Sequence, residues 1–412
     1  MGRSAYIPLL LGLALLCRVP AASQPGPATA AAGAWALYRD SDFFALQAKL
    51  PPATDGAAPD MLFLQAAVLA AFSHPEPSAR LLERLLSRRG LSPSLDVRVR
   101  ELLMLDRRAV FHYRDALDAV APLLRGSGST GLAGIRNRAR LLRAIADAGP
   151  QIVTEGRHAA LELDARGRIE AFVAHRPIRV YPDTGANISV LPRHLAQALG
   201  LRIRPANYAV GSSVGGRVES DVAVADIALA DGTRVRNAIF LVLPDKAVPV
   251  ALLGHPVLSA LGSMDYSNGT MAFGSPVRLA NKTPLALSGN DLLLKVRYAG
   301  QGILCRLDSG AARSVFYAPF YRRFRGTLRT SGRKGLRVGG ATGTRRLGAR
   351  EFDSLTIEIA GRAFRLAPAF VITDTVHGVP NAALACNIGR DVLRAAGRYR
   401  IDFTDMTLGF RS

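Results

Sequence analysis

Two hydrophobic textures divide this chain. Over 35–150 apolar residues recur at helical spacing, whereas from Gln151 onward they alternate with polar ones in short runs broken by glycine. In the first region Ser41 is placed to cap a helix reaching Leu50, and Asp60 one running through Phe72. Leu81, Leu82, Leu85 and Leu86 share one face of a further helix, ended by Gly90. Periodic segments over about 94–109, 111–124 and 134–146 bring the expectation to six or so helices with short breaks, an all-α module of stacked helical hairpins.

After Pro150 strands are expected, among them 157–163 and 227–235. The latter turns at Asp231-Gly232, a pair suited to a tight hairpin. The region then divides into two stretches that overlay. Val180-Tyr181-Pro182-Asp183-Thr184-Gly185-Ala186 has a near-copy 125 residues later, Cys305-Arg306-Leu307-Asp308-Ser309-Gly310-Ala311. Asp183 precedes Gly215-Gly216 by 32 and 33 residues, and Asp308 precedes Gly339-Gly340 by 31 and 32. Each copy continues with a hairpin, turning at Asp231-Gly232 or Ala360-Gly361. An apolar segment with glycine follows, Leu252-Leu253-Gly254 or Asn387-Ile388-Gly389. A further glycine comes next, Gly262 or Gly397, and each copy closes on an aspartate and a short strand, from Asp265 to Phe273 and from Asp402 to Phe410.

Composition narrows the setting. Of the 412 residues 49% are hydrophobic, enough for real cores, so wholesale disorder is excluded. The net charge of +21, carried mostly by arginine, suits an anionic envelope surface or acidic polymer, but an arginine- and alanine-rich codon usage is the plainer account. No basic run alternates with aromatics, and no nucleic-acid partner is expected. Residues 1–23 read as a signal peptide: Arg3, an apolar stretch from Ile7 to Cys17, and a small-residue cleavage site at Ala21-Ala22-Ser23. Leu16 is too large for Cys17 to be a lipoprotein cysteine. The expected location is periplasmic or secreted. An Ala/Pro/Gly-rich tether fills 24–34, the helical module 35–150, and the two overlaid stretches 151–280 and 281–412. Only Cys305 and Cys386 remain after cleavage of the leader; a bridge and a buried pair of small side chains both stand open. No Cys/His cluster has metal-ligand spacing, so neither metal nor organic cofactor is expected.

Each overlaid stretch resembles a retropepsin-like aspartic peptidase domain: apolar strand, Asp-Thr/Ser-Gly-Ala, glycine-containing flap, then apolar-apolar-Gly leading into a short helix. The resemblance covers about 250 residues. It implies an all-β bilobal acid-protease fold of two β-barrel halves related by a pseudo-twofold, as in pepsin-like enzymes, in an exported bacterial protein. It further implies an endopeptidase acting on an extended polypeptide, with Asp183 and Asp308 sharing one proton and activating a water, and with no dimer needed to complete the site. Thr184 and Ser309 would lock the two loops together. Gly185 and Gly310 would allow close approach to the carboxylates, and Ala186 and Ala311 would keep the cleft floor narrow. Gly211, Val214, Gly215 and Gly216 in one half, and Val338, Gly339 and Gly340 in the other, stand where the family carries substrate-binding flaps; ordinary surface hairpins are the plainer account of them. Departures from the pattern are Pro182 before the first aspartate, Ala312 opposite Asn187, and Asn387 beside Gly389. An idle peptide-binding clamp or an adaptor remains the alternative function.

The stretch from Phe111 through Leu117 faintly resembles the start of a tetratricopeptide helix, without an established period near about 34 residues. The helical module therefore either recruits a protein partner or caps the peptidase part. Gly211-Ser212-Ser213-Val214-Gly215 matches a serine-nucleophile pattern, but strand-like residues rather than a helix follow it. Asn187, Asn268 and Asn281 begin glycosylation triplets, and a glycan on Asn187 would block the cleft.

Overall fold

The computed structural model describes residues 29–52, 56–125, 131–211, 216–277, 279, 281–328, 332–340, 343–373 and 383–411. The signal peptide expected over 1–23, the first part of the tether, and Ser212 to Gly215 lie outside the described residues.

Among the described residues, the N-terminal region has seven helices: α1 (Thr29–Arg39), α2 (Phe43–Lys49), α3 (Pro59–Ala71), α4 (Pro75–Leu86), α5 (Pro93–Ala109), α6 (Tyr113–Arg125) and α7 (Ala133–Ile145). Proline opens α3, α4 and α5, where its missing N–H costs nothing and its fixed φ suits the first turn. Three expectations are corrected, the first being that Ala58, not Asp60, stands at the cap position of α3, with Asp60 inside its first turn. Residues 29–34 are helical rather than tether, because the alanines after Thr29 are strong helix formers and Trp35 anchors them, stacked on Phe63 at 5.4 Å and donating to Asp60 Oδ1 at 2.9 Å. The cap of α2 is Asp42, whose carboxylate accepts from Ala45 N at 3.2 Å; Ser41 stands one residue too early, with a φ of 53°. In α4, Leu82 and Leu85 are buried, as the apolar face requires.

The described strands of the β region form two sheets. In the first half, strands Ile169–Val173, Arg176–Pro182, Ser189–Pro192, Arg204–Gly211, Arg217–Leu229, Arg234–Leu243 and Ala251–Leu253 share a sheet with Ile152–Thr154. Strand Arg176–Pro182 runs parallel to Ala251–Leu253, with Val180 opposite Ala251. In the second half Gln301–Leu307 runs parallel to Cys386–Ile388, with Cys305 opposite Cys386. That pair is a disulfide, which decides the question left open by the sequence. Both expected hairpin turns occur where tight-turn residues stand, with positive φ at Gly232 and at Ala360-Gly361.

Strand 157–163 is reduced to Leu161–Glu162. Its preceding residues bond to a turn instead of a ladder: Arg157 N donates to Asp231 O, Gly156 N to Thr233 Oγ1, and His158 Nδ1 lies 2.9 Å from Phe273 O. The strands that close the two halves meet side by side in the order Lys282–Ser288, Thr407–Phe410, Arg398–Asp402, Ser263–Ser267, Thr270–Phe273, Leu161–Glu162. One apolar core runs through both halves and includes Phe240, Phe273, Phe316, Phe320 and Phe352.

The helices are packed on this β region. Met104, Tyr113, Val120, Ile135 and Leu142 share a core with Ile188, Val210, Ile239 and Leu252 of the first half. Asn137 of α7 makes a two-way bond with strand Arg204–Gly211: its amide donates to Ala209 O and accepts from Ala209 N, both at 2.8 Å. Arg108 of α5 donates to Asn290 Oδ1 at 3.0 Å, and Asn290 in turn donates to the Asn187 carbonyl at 2.6 Å.

Candidate active site

Asp183 follows strand Arg176–Pro182 and Asp308 follows strand Gln301–Leu307, each at the mouth of a parallel pair. The backbone bonds that hold them match almost one for one. Asp183 N donates to Leu253 O and Asp308 N to Ile388 O, both at 2.9 Å. Ala186 N donates to Asp183 O at 3.2 Å, and Ala311 N to Asp308 O at 3.1 Å. The loops then meet the apolar-Gly segments: His255 N donates to Ala186 O and Arg390 N to Ala311 O, both at 2.8 Å. Ser189 Oγ accepts from Gly254 N at 3.0 Å, and Ser314 Oγ accepts from Gly389 N at 2.9 Å.

Thr184 and Ser309 bind the two loops to each other. Thr184 Oγ1 accepts from Ser309 N at 2.9 Å and donates to Leu307 O at 3.3 Å; Ser309 Oγ accepts from Thr184 N at 3.0 Å and donates to Pro182 O at 3.0 Å. Four buried bonds thus cross between chain segments more than 120 residues apart, and Pro182 takes part through its carbonyl, so its missing N–H is no handicap. Tyr181 adds a fifth, its hydroxyl donating to Ser309 O at 2.7 Å.

This clasp brings the carboxyl groups together. A Cβ on Gly185 would lie 2.5 Å from Asp308 Oδ1, and one on Gly310 would lie 2.4 Å from Asp183 Oδ1. Each carboxyl therefore rests against the glycine that follows the other aspartate, and no other residue fits at either position. Asp183 is 1% exposed and Asp308 0%. Burial, joined by the charge of Asp308, holds the Asp183 carboxyl well above the usual carboxylate range. Burial also raises Asp308, but the guanidinium of Arg306 opposes it. Ala186 and Ala311 are buried beside the aspartates.

The expected flap residues are only partly described. Gly211 ends its strand opposite Arg217, and Gly216, with φ of 82°, precedes the returning strand; Val214 and Gly215 lie outside the described residues. Val338, Gly339 and Gly340 belong to strand Gly332–Gly340, which pairs with Gly343–Phe352, and Val338 is buried.

Sequence reasoning missed Arg306, which donates to Asp308 Oδ2 at 2.9 Å, and Asp291, its second carboxylate neighbour. It also treated Asn387 only as a departure, although that amide bonds both Arg306 and Asp308. The signal was an arginine inside an otherwise apolar strand two residues before the aspartate.

A family model described as "Aspartyl protease" matches residues 169–257. Among solved structures, a retropepsin-like aspartic protease from Rickettsia conorii is 20% identical, with 30% of this chain and 92% of that chain covered and a TM-score of 0.23. The EIAV protease complexed with the inhibitor HBY-793 is 26% identical, with 24% and 91% covered and a TM-score of 0.20. No curated protein matches. Residues 169–257, which hold Asp183, are thus similar to the aspartyl protease family.

Proposed function

We propose that this chain is an aspartic endopeptidase whose two half-sites lie in one polypeptide, with Asp183 and Asp308 as its catalytic pair. The observation that carries this reading is the reciprocal clasp of Thr184 and Ser309, which seats each carboxyl against the glycine of the other loop. Two buried carboxyls so placed cannot both ionise cheaply, so they hold one proton between them. The ionised member takes a proton from a bound water, and the protonated member donates to the scissile carbonyl oxygen as the water attacks. The matched backbone bonds of the two halves favour a duplicated retropepsin-type domain, and the glycine-rich hairpins would fold over an extended polypeptide. With a leader over 1–23, the site of action would be the periplasm or the exterior.

Purified protein incubated with a mixed peptide library from about pH 3 to about pH 8, with and without a pepstatin-type inhibitor, tests the reading. Inhibitor-sensitive cleavage is expected, and Asp183→Asn and Asp308→Asn should each lower turnover by at least about 10³-fold while leaving the fold intact. Absence of cleavage throughout that range, or cleavage that survives both substitutions, would sink the reading and favour an idle peptide clamp.

A further inference from the structure

The two halves part company two residues before each aspartate. The first half carries Tyr181 there, the second Arg306. Arg306 is 1% exposed and heads the fully buried side chains by volume. Its Nη2 donates to Asp308 Oδ2 at 2.9 Å, its Nε to Asn387 Oδ1 at 2.9 Å, and its Nη1 reaches Asp291 Oδ1 at 3.5 Å. The Asn387 amide donates to the same Asp308 oxygen at 3.4 Å, where the first half has the apolar Leu252. The other oxygen of Asp308 accepts from Ala311 N at 3.0 Å. Asp183 is served differently: its Oδ1 accepts from Gly185 N at 2.8 Å, and the guanidinium bonds go to its partner.

A guanidinium keeps its charge at any working pH, and in a dry interior it favours a facing carboxylate over a facing acid. All its hydrogen-bonding groups are donors, so Asp308 Oδ2, with a donor from Arg306 and another from Asn387, is an acceptor site with no room for a proton of its own. We propose that Arg306, held in place by Asn387 and Asp291, fixes the shared proton of the pair on Asp183 and keeps Asp308 ionised, so that Asp308 is the base and Asp183 the acid. This rests on the peptidase reading above and assigns roles within it. In the forward step a water proton passes to Asp308 Oδ1, the oxygen that Arg306 and Asn387 do not occupy, the water oxygen bonds to the carbonyl carbon, and the Asp183 proton passes to the carbonyl oxygen, giving a gem-diol. In its collapse the C–N bond breaks, the Asp308 proton goes to the leaving nitrogen, and a gem-diol hydroxyl returns a proton to Asp183. The starting charge pattern is restored.

The groups facing the pair come from several strands. Asp308 faces Arg306 on its own strand, Asp291 and Asn387 on the flanking strands, Tyr317 beyond Val315–Phe316, and Asp183 from the other half. Asp183 faces Asp308, with Arg306 and Arg390 further away. Burial pushes Asp291 up to about 6 against the pull of Arg306, so it titrates within the assay range and is varied separately. Arg306 is a positioning residue, acting through Asp308.

The test is the pH profile of kcat/KM for the full chain. Removing the cation with Arg306→Gln should move the acid limb up by about one pH unit or more, because an adjacent opposite charge lowers a carboxyl by about that much. Arg306→Lys should stay close to the wild type, Asn387→Leu should move the limb in the same upward direction by less, and Asp291→Asn should leave the acid limb at or below its wild-type position. Should Arg306→Gln not fold, Asn387→Leu decides. A wild type that turns over, with an acid limb unmoved in Arg306→Gln or in its stand-in Asn387→Leu, overturns this assignment alone. A wild type with no turnover overturns the peptidase reading and the assignment together.

Discussion

The surroundings of Asp183 and Asp308 share a backbone and differ in side chains. The backbone-to-backbone bonds that seat one aspartate have counterparts at the other within about 0.1 Å. Yet around Asp183 stand Tyr181 and Leu252, and around Asp308 stand Arg306 and Asn387. A disulfide joins Cys305 to Cys386 where the first half has Val180 opposite Ala251. The difference teaches that placing a carboxyl and setting its charge are separable tasks: the first is done by loop geometry, the second by the side chains packed behind it.

Exchanging residues between the halves breaks or sharpens this contrast. The largest effect on stability is expected from Cys305→Val with Cys386→Ala, which installs the first half's pair. Losing a crosslink between residues 81 apart should cost about 2–4 kcal/mol, read as a lower denaturant midpoint. An unchanged midpoint would mean that strand pairing and apolar packing alone hold Arg306 and Asn387 in register. Next come Thr184→Val and Ser309→Ala, each of which strands a buried N–H and should cost about 1–3 kcal/mol. Their costs should match closely; a large inequality would show that the clasp is symmetric in geometry but not in energy. The smallest is Tyr181→Phe, which removes one buried bond to Ser309 O and should cost about 1 kcal/mol by the same measurement. A loss much larger than that would point to the ring itself, over which the Arg390 guanidinium sits at 4.8 Å.

Much of this arrangement is legible in the sequence because it is local. Asp-hydroxyl-Gly, repeated at matched distances from a glycine pair and an apolar-Gly segment, needs only spacing to be recognised, and Asp231-Gly232 marks its turn by residue type. The Arg306 cluster is not legible in that way. It joins side chains 15 and 81 residues apart that meet only once three strands align. The run from Thr29 to Gly33 looks like a tether because small residues carry no periodicity, and Trp35 against Phe63 makes it a helix. The stretch before Leu161 alternates like a strand but spends its backbone bonds on the turn at 231–233.

Among the described residues, strand Arg204–Gly211 pairs with a strand on one side only and ends its sheet. Exposed, its row of amides and carbonyls would be a template onto which a foreign chain could add itself. The carboxamide of Asn137 offers Ala209 one acceptor and one donor, the same complement a further strand would bring. A helix thereby stands guard over the margin of the sheet: Asn137 occupies the bonding groups that Ala209 would offer an added strand, and Arg140 of the same helix donates to Asn207 O at 3.3 Å.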